Sequence, residues 1–391
     1  MYLIFFGFFA AEGIIYPFWP TWLDSLGFST GQIGLLIAAV YWPQVVSGIL
    51  VTYVADWRID QLRLAAILGF SAAFITLFFY FLPASLSVFV ALSIIFGGLW
   101  MVVLPLTESY LLKRDKQALQ NYGLVRAVGS SAFILTSIFG GVIFTYYGQS
   151  WVPIVIASSM FFTGLSCLWL GRRVTKIHTP LVGGEFKRPE WRRLFENKFL
   201  LLTIAAAGFI QLSHTLYFST ASISWGSKGY SSTTIGMFWS VAVLAEIIYF
   251  AFSNKILARW APLPVVMFSG GCAAIRWILF SSSDDLTLIV LGQCMHALSF
   301  AAYHSALMRF VRDNAPADIQ VFTQGVYYSL AVALPMGLAT PISGYLYEIV
   351  QSWAYCVMAL LALVGTFLAL TAHYKMRSDE NDSSKLFSRL L

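Results

Sequence analysis

The most regular feature of the chain is a series of long apolar segments separated by short polar ones. Each segment is about 20 residues long, the length an α-helix needs to cross the hydrocarbon core of a bilayer. Because lipid offers no hydrogen-bonding partner, a segment surrounded by lipid must pair its own amides as a helix. The pattern predicts twelve transmembrane helices, helix 1 to helix 12, at residues 2–23, 31–54, 63–83, 87–112, 121–146, 151–171, 199–224, 231–254, 262–282, 286–309, 319–347 and 352–374.

The composition is that of an all-α integral membrane protein. Of the 391 residues, 59% are hydrophobic and 11% are charged, whereas soluble domains carry about 25% charged residues. No phosphate-binding loop, dinucleotide-binding turn or nucleophile elbow occurs between the helices. The sequence therefore predicts neither an enzyme nor a cofactor.

Lysine and arginine are unequally shared between the two sides of this arrangement. Of the 24 such residues, 21 lie in the connections after helices 2, 4, 6, 8 and 10 or in the C-terminal tail. The opposite connections hold only Lys228, and Arg126 and Arg276 fall inside helices. Cytoplasmic connections are enriched in basic residues, so both termini are predicted to be cytoplasmic. This bias also explains the net charge of +6 without a nucleic-acid partner.

The chain is predicted to consist of two related bundles of six helices. A basic linker at 172–198 separates residues 1–171 from residues 199–374, and a cytoplasmic tail follows at 375–391. The sequence SLGFSTGQIG at 25–34 returns 202 residues later as SKGYSSTTIG, and ESYLLK at 108–113 returns more weakly, 196 residues later, as HSALMR. Two six-helix units in the same orientation form a parallel repeat, in which the solute binds near the midplane between the units.

Two ionisable residues, Glu108 and Arg126, lie inside helices 4 and 5 on either side of a short charged turn. At 1.5 Å per residue both are roughly 6–8 Å inside the same membrane face. A charge in the hydrocarbon costs at least about 2.5–3.5 kcal/mol, so such residues pair or line a polar cavity. A structural ion pair is one interpretation; a polar cavity anchored by the pair is the favoured one.

Helix 10 carries a polar stripe. Gln293, His296, Phe300 and His304 are spaced three, four and four residues apart, which places them within about 80° of one helix face. Two histidines and a glutamine on an intramembrane face need partners or water. Packing histidines and a functional cavity remain alternatives for this stripe.

Further polar residues fall at matching depths in the two halves. The repeat relates Glu12 to His214, Gln44 to Glu246, and Glu108 to His304. His214 shares a face of helix 7 with Tyr217. Glu246 in helix 8 and Arg276 in helix 9 both lie near the midplane, so a direct ion pair between them is geometrically allowed.

This set of residues suits a proton-coupled carrier. Buried carboxylates and histidines change protonation near neutral pH, which makes Glu246, His296 and Glu12 candidates for carrying the proton. An arginine stays charged and binds a carboxylate through two hydrogen bonds. Glu12 has an alternative role as a cavity group that tunes specificity. A metal site is disfavoured, since no closely spaced His/Glu ligand motif occurs.

The motifs resemble a known family. GIIYPFWPTWL at 13–23, PLTES at 105–109, YGLVRAVGS around Arg126 and the Gln293-x-x-His296 stripe are similar to the phenylpropionate permease family of the major facilitator superfamily. The resemblance implies the major facilitator fold, with twelve transmembrane helices as two six-helix pseudo-repeats. It also implies proton symport by alternating access in the bacterial inner membrane, by a protein expected to be monomeric. The implied solute is an aromatic carboxylate such as 3-phenylpropionate. A neutral sugar or nucleoside is the alternative, while drug efflux, a membrane enzyme and a sensor are disfavoured.

The resemblance also implies residue roles. In related sugar permeases an acid in helix 4 and an arginine in helix 5 contact the substrate, at the positions of Glu108 and Arg126 here. The candidate substrate-binding residues are Glu108, Arg126, His214, Tyr217, Arg276, Gln293, His296, Phe300 and His304. The family's gating loop after helix 2 retains Asp56 and Arg58 but lacks its glycines, which puts its gating role in doubt.

Overall fold

The computed structural model describes residues 1–54, 60–114, 116–174, 191–283, 285–316 and 320–390. Asp56 and Arg58 of the predicted gating loop lie outside the described residues, as does most of the linker. Within these ranges the chain is helical and contains no strand.

The twelve predicted segments all have helical counterparts. Ten stretches of the described chain are long and apolar enough to span a membrane, and one of them, Phe322–Ser378, contains two helices. Helix 2 adds a shorter apolar helix. The bounds of helices 1–6 are Tyr2–Ser25, Thr30–Val54, Gln61–Phe81, Leu86–Trp100 with Val103–Arg114, Lys116–Tyr147, and Val152–Val174. Those of helices 7–12 are Lys198–Leu212 with Thr215–Ser227, Ser232–Arg259, Pro262–Ser282, Leu286–Asn314 in three parts, Gln320–Val350 in three parts, and Ala354–Leu390. A short helix, Trp191–Glu196, precedes helix 7.

The repeated sequence forms the same turn in both halves. Gly27 and Gly229, which are 202 residues apart, both have positive φ, at 87° and 91°. Residues with side chains rarely adopt this conformation, so glycine is favoured at both positions. The amide of the next residue bonds back to the helix in each copy, Phe28 N to Leu23 O at 3.4 Å and Tyr230 N to Trp225 O at 3.1 Å. The turn ends helix 1 and helix 7 in the same way.

Four helices are irregular in their interior, which the apolar pattern does not predict. Helix 4 is interrupted after Trp100 and helix 7 after Leu212. Helix 10 contains a π-helical segment at Ala297–Ala301, and helix 11 one at Tyr328–Ala333. Such segments often occur at functional sites. The irregular segments therefore make the middle of these four helices a candidate location for a functional site.

The two halves meet along helix 2 with helix 11 and helix 5 with helix 8. Glycines permit close approach here, since a Cβ added to Gly236 would lie 2.0 Å from the carbonyl oxygen of Ser137. Thr30 Oγ1 donates to Gly344 O at 2.9 Å, and Gln149 Nε2 donates to Ser232 Oγ at 2.9 Å. These contacts join the halves at the end where helices 1, 5, 7 and 11 finish.

Candidate functional site

Arg126 and Glu108 form the ion pair that their depth suggested. Arg126 Nη1 lies 3.3 Å from Glu108 Oε1, and Tyr122 OH donates to the same oxygen at 2.9 Å. The guanidinium lies over the Phe9 ring, 5.0 Å from its centroid. The side chain of Arg126 is 43% exposed and that of Glu108 26%. Since arginine has five N–H donors and the described residues accept from one, Arg126 retains donors for a ligand.

Arg276, in contrast, is fully buried and already has partners. Its Nη1 donates to His296 Nδ1 at 2.7 Å and to Ser299 Oγ at 3.3 Å, and its Nη2 donates to Gln293 Oε1 at 3.0 Å. The guanidinium also lies 4.5 Å from the centroid of the Tyr217 ring. These contacts hold helices 7, 9 and 10 together. Arg276 is thus a positioning residue in this conformation and has no exposed donor to offer a solute.

Glu246 does not pair directly with Arg276 in the described structure, although their depths allow such a pair. Instead His296 lies between them, with Nε2 2.8 Å from Glu246 Oε1. Because arginine can only donate, His296 Nδ1 must accept, and the proton of the neutral ring belongs on Nε2. Nε2–H then donates to Glu246. The imidazole thus bridges the two groups, and Arg276 fixes the ring orientation in which His296 holds the Glu246 carboxylate.

The stripe predicted on helix 10 is present despite the π-helical segment within it. The rings of His296, Phe300 and His304 are nearly parallel, with centroids 5.3 Å and 6.0 Å apart. His304 Nδ1 lies 3.1 Å from Tyr327 OH of helix 11. Helix 5, which carries Arg126, packs against helix 8, which carries Glu246, and Ser240 Oγ of helix 8 lies 3.4 Å from Ile134 O of helix 5. The ion pair of the first half and the polar cluster of the second half are thus carried by neighbouring helices at the interface.

His214, Tyr217 and Gln293 lie behind this surface. All three side chains are buried, and Tyr217 OH donates to Gln293 Oε1 at 3.1 Å. His214 Nδ1 is 2.9 Å from Ile210 O, and its Nε2 has no hydrogen-bond partner among the described residues. In this conformation these groups support the Arg276 cluster.

Glu12 lies in a separate part of the first half. Its Oε1 accepts a 2.8 Å hydrogen bond from Trp100 Nε1, at the point where helix 4 is interrupted. Sequence reasoning missed Trp100, and it also missed Tyr122 and Phe9 beside Arg126. The spacing of Tyr122 four residues before Arg126 was a usable signal. Nothing in the local sequence around Trp100 pointed to Glu12, 88 residues away.

Comparison with known proteins identifies this architecture. A profile of the MFS_1 like family matches residues 1–357. The chain belongs to this family of the major facilitator superfamily. A major facilitator protein of similar sequence is the "Probable 3-phenylpropionic acid transporter" of Escherichia coli (strain K12), 28% identical over 372 residues that cover 93% of this chain and 95% of that protein. Another is the "Maltose permease" of Geobacillus stearothermophilus, 23% identical over 90% of this chain and 80% of that protein.

Solved structures confirm the predicted major facilitator fold. The nucleoside transporter NupG superposes with a TM-score of 0.79 at 16% identity, covering 95% of this chain and 98% of that one. A bacterial homolog of the human lysosomal transporter Spinster gives a TM-score of 0.75 at 14% identity, covering 97% and 96%. The protein is a multi-pass membrane transporter of the major facilitator type.

Proposed function

We propose that this major facilitator protein is a proton symporter that takes up an aromatic carboxylate such as 3-phenylpropionate. One observation carries the proposal: Arg126 is an accessible cation on helix 5 of the first half, and helix 5 packs against helix 8, which carries the carboxylate Glu246 of the second half. A solute anion bound to Arg126 and a proton bound to Glu246 would then each favour the binding of the other.

The carboxylate of the solute would bind to Arg126. Of the two intramembrane arginines, Arg126 has uncommitted donors at an exposed surface, whereas Arg276 is buried and hydrogen-bonded. A planar guanidinium matches a carboxylate through two parallel hydrogen bonds. Phe9 beneath the guanidinium and the half-buried Phe300 opposite offer apolar surface to a ring. The printed name of the Escherichia coli relative supports an aromatic acid.

Proton coupling would follow from the position of Glu246. An anion bound to Arg126 is repelled by an ionised Glu246 and is not repelled by a protonated one, so solute and proton bind cooperatively. His296 is poorly suited to take the proton here, since Arg276 donates to its Nδ1 and a second ring proton would break that bond. Glu246 is therefore the proposed proton site, and His296 is the residue that positions it. Glu12 stays a prediction as a second proton site.

Alternating access would move the site between the two sides of the membrane. The contacts of Thr30, Gly344, Gln149 and Ser232 seal the halves at one end. The positive-inside rule assigns that end to the exterior and both termini to the cytoplasm. The exposed Arg126 lies near the opposite end. We therefore assign this conformation as open to the cytoplasm, in the bacterial inner membrane.

A neutral sugar or nucleoside is the second candidate solute. Relatives include the maltose permease and the "Putative nucleoside transporter YegT" of Escherichia coli (strain K12), 21% identical over 79% of this chain and 75% of that protein. The Glu108–Arg126 pair offers both an acceptor and donors to hydroxyl groups.

Uptake of radiolabelled 3-phenylpropionate into proteoliposomes, with and without an inwardly directed proton gradient, tests the proposal. Gradient-dependent accumulation supports both the aromatic acid and the coupling. Accumulation of maltose or a nucleoside, with none of the acid, selects the second candidate. Equal entry of the acid with and without the gradient rejects proton coupling.

A further inference from the structure

A second polar position, Glu12, lines an aromatic pocket apart from Arg126. The pocket encloses about 540 Å³, counting the part that is open, and is formed by helices 1, 2, 4 and 7. Its walls include Tyr16, Trp19, Tyr41, Phe96 and Phe218, with Glu12 as the carboxylate. We call this space the Glu12 pocket.

The Glu12 pocket lies between the halves. Phe218 comes from helix 7 of the second half, and its ring centroid is 5.4 Å from that of Tyr16 in helix 1. Both side chains are half-buried, as expected for residues that border a cavity. A group that occupies the pocket therefore touches both halves, which is a requirement for a solute whose binding drives their relative movement.

Helix 1 connects this pocket to Arg126. Phe9, Glu12 and Tyr16 are spaced three and four residues apart, within about 60° of one helix face. Phe9 lies under the Arg126 guanidinium, and Glu12 is about 4.5 Å further along the helix axis. A short molecule held by Arg126 at one end can thus extend along this face into the Glu12 pocket.

The polar groups of the pocket favour a hydrogen-bond donor. Glu12 is 94% buried, since its exposed fraction is 6%. Trp100 Nε1 and the hydroxyl group of Tyr16 both hydrogen-bond the Glu12 carboxyl group, and a carboxylate has about four acceptor positions, so positions remain for a further donor. Gln44 continues the Tyr41 face of helix 2, and its Oε1 is buried without a partner among the described residues. Most of the wall is aromatic and aliphatic, which suits an aromatic ring that carries a single hydroxyl group.

We propose that the Glu12 pocket is a subsite for the ring of the substrate and that Glu12 accepts a hydrogen bond from a hydroxyl group on this ring. The preferred solutes are then hydroxylated aromatic acids. This inference rests on the proposed function, since the carboxylate of the same molecule is held by Arg126. Glu12 would then determine which aromatic acids the protein prefers.

The test compares 3-phenylpropionate with 3-(3-hydroxyphenyl)- and 3-(4-hydroxyphenyl)propionate in proteoliposomes. For at least one hydroxylated acid, the wild-type protein is expected to reach half-maximal uptake at a concentration about tenfold lower than for 3-phenylpropionate. This is the usual effect of one hydrogen bond to a charged group. Glu12→Leu is expected to abolish this preference, so that the protein binds the three acids with affinities within about twofold of one another, because the hydroxyl group no longer has an acceptor in the pocket. Glu12→Gln, which retains a neutral acceptor, gives an intermediate preference.

Asp24→Asn is the matched control, because Asp24 is an exposed acid of the same helix outside the pocket. It should keep the full preference. Equal use of the three acids by the wild-type protein, or a preference that survives in Glu12→Leu, overturns the subsite. Calorimetric binding of the three acids to the wild-type protein decides the question even if the variants do not fold. If the wild-type protein takes up the three acids equally well, the subsite is rejected and the proposed function stands. If it binds none of the three acids, the proposed function is rejected as well.

Discussion

Glu246 reaches the buried cation of its own half only through His296, whose Nε2 lies 2.8 Å from Glu246 Oε1. Arg276 donates to the other ring nitrogen at 2.7 Å and thereby sets the tautomer. The carboxylate is therefore held in place without being neutralised by a direct ion pair. Its side chain remains 19% exposed, so a proton and the field of a bound anion can both reach it.

Replacing Glu246 should separate solute movement from proton movement. A glutamine at this position keeps the hydrogen bond from His296 but cannot ionise. We expect Glu246→Gln to exchange labelled for unlabelled acid across the membrane at close to the wild-type rate, yet to lose accumulation driven by a proton gradient. Counterflow and gradient-driven uptake in the same proteoliposomes measure the two activities. Retention of gradient-driven accumulation would assign the proton to another group.

Removing Arg126 should abolish the binding of anionic solutes. Loss of one partner of a charge-assisted bidentate contact costs about 2–5 kcal/mol, which corresponds to a loss of affinity of at least about 30-fold. Arg126→Ala is the test, and Arg126→Lys, which keeps the charge without the planar fork, should recover only part of the affinity. Calorimetric titration with 3-phenylpropionate measures both. Normal affinity in Arg126→Ala would rule out this role.

Arg276 should matter mainly for stability. Arg276→Leu leaves His296 Nδ1 without its donor and removes one of the two donors to Gln293 Oε1, and a buried unsatisfied group costs about 1–3 kcal/mol. We expect a clearly lower Tm in detergent, measured by thermal unfolding. Arg126→Leu is the control, because a half-exposed single ion pair contributes at most about 1 kcal/mol. A similar Tm change in the two variants would contradict the assignment.

Joining the halves at their sealed end should stop transport. Thr145 Oγ1 and Thr233 Oγ1 are 3.0 Å apart, on helices 5 and 8 of opposite halves. Thr145→Cys combined with Thr233→Cys should form a disulfide on oxidation, and transport should cease until a reductant is added. Each single variant controls for oxidation of the four native cysteines, two of which are buried. Unchanged transport in the cross-linked protein would show that this end does not open.

Much of the fold was predictable from sequence because the membrane makes periodicity and length decisive. A bilayer requires helices of about 20 apolar residues, and helix 11 and helix 12 could be separated even though Phe322–Ser378 is one apolar stretch. The repeated SLGFSTGQIG and SKGYSSTTIG segments form equivalent turns in the structure, in which Gly27 and Gly229 share a conformation. The polar face of helix 10 was also correct, because a helix fixes which residues share a face.

The candidate site was only partly predictable, because depth and face do not determine which side chains meet across helices. Glu246 and Arg276 have compatible depths, yet the imidazole of His296 separates them. The sequence alone presented two equivalent intramembrane arginines, and only tertiary packing showed that Arg276 is enclosed while Arg126 is exposed. Likewise it placed Glu12 inside a helix but could not place Trp100 beside it.

The sequence by itself determined the membrane spans, the repeat and the polar faces, which depend on local spacing. The tertiary structure decided which polar groups are paired and which are open to a solute, since that depends on the rotation and approach of helices distant in sequence.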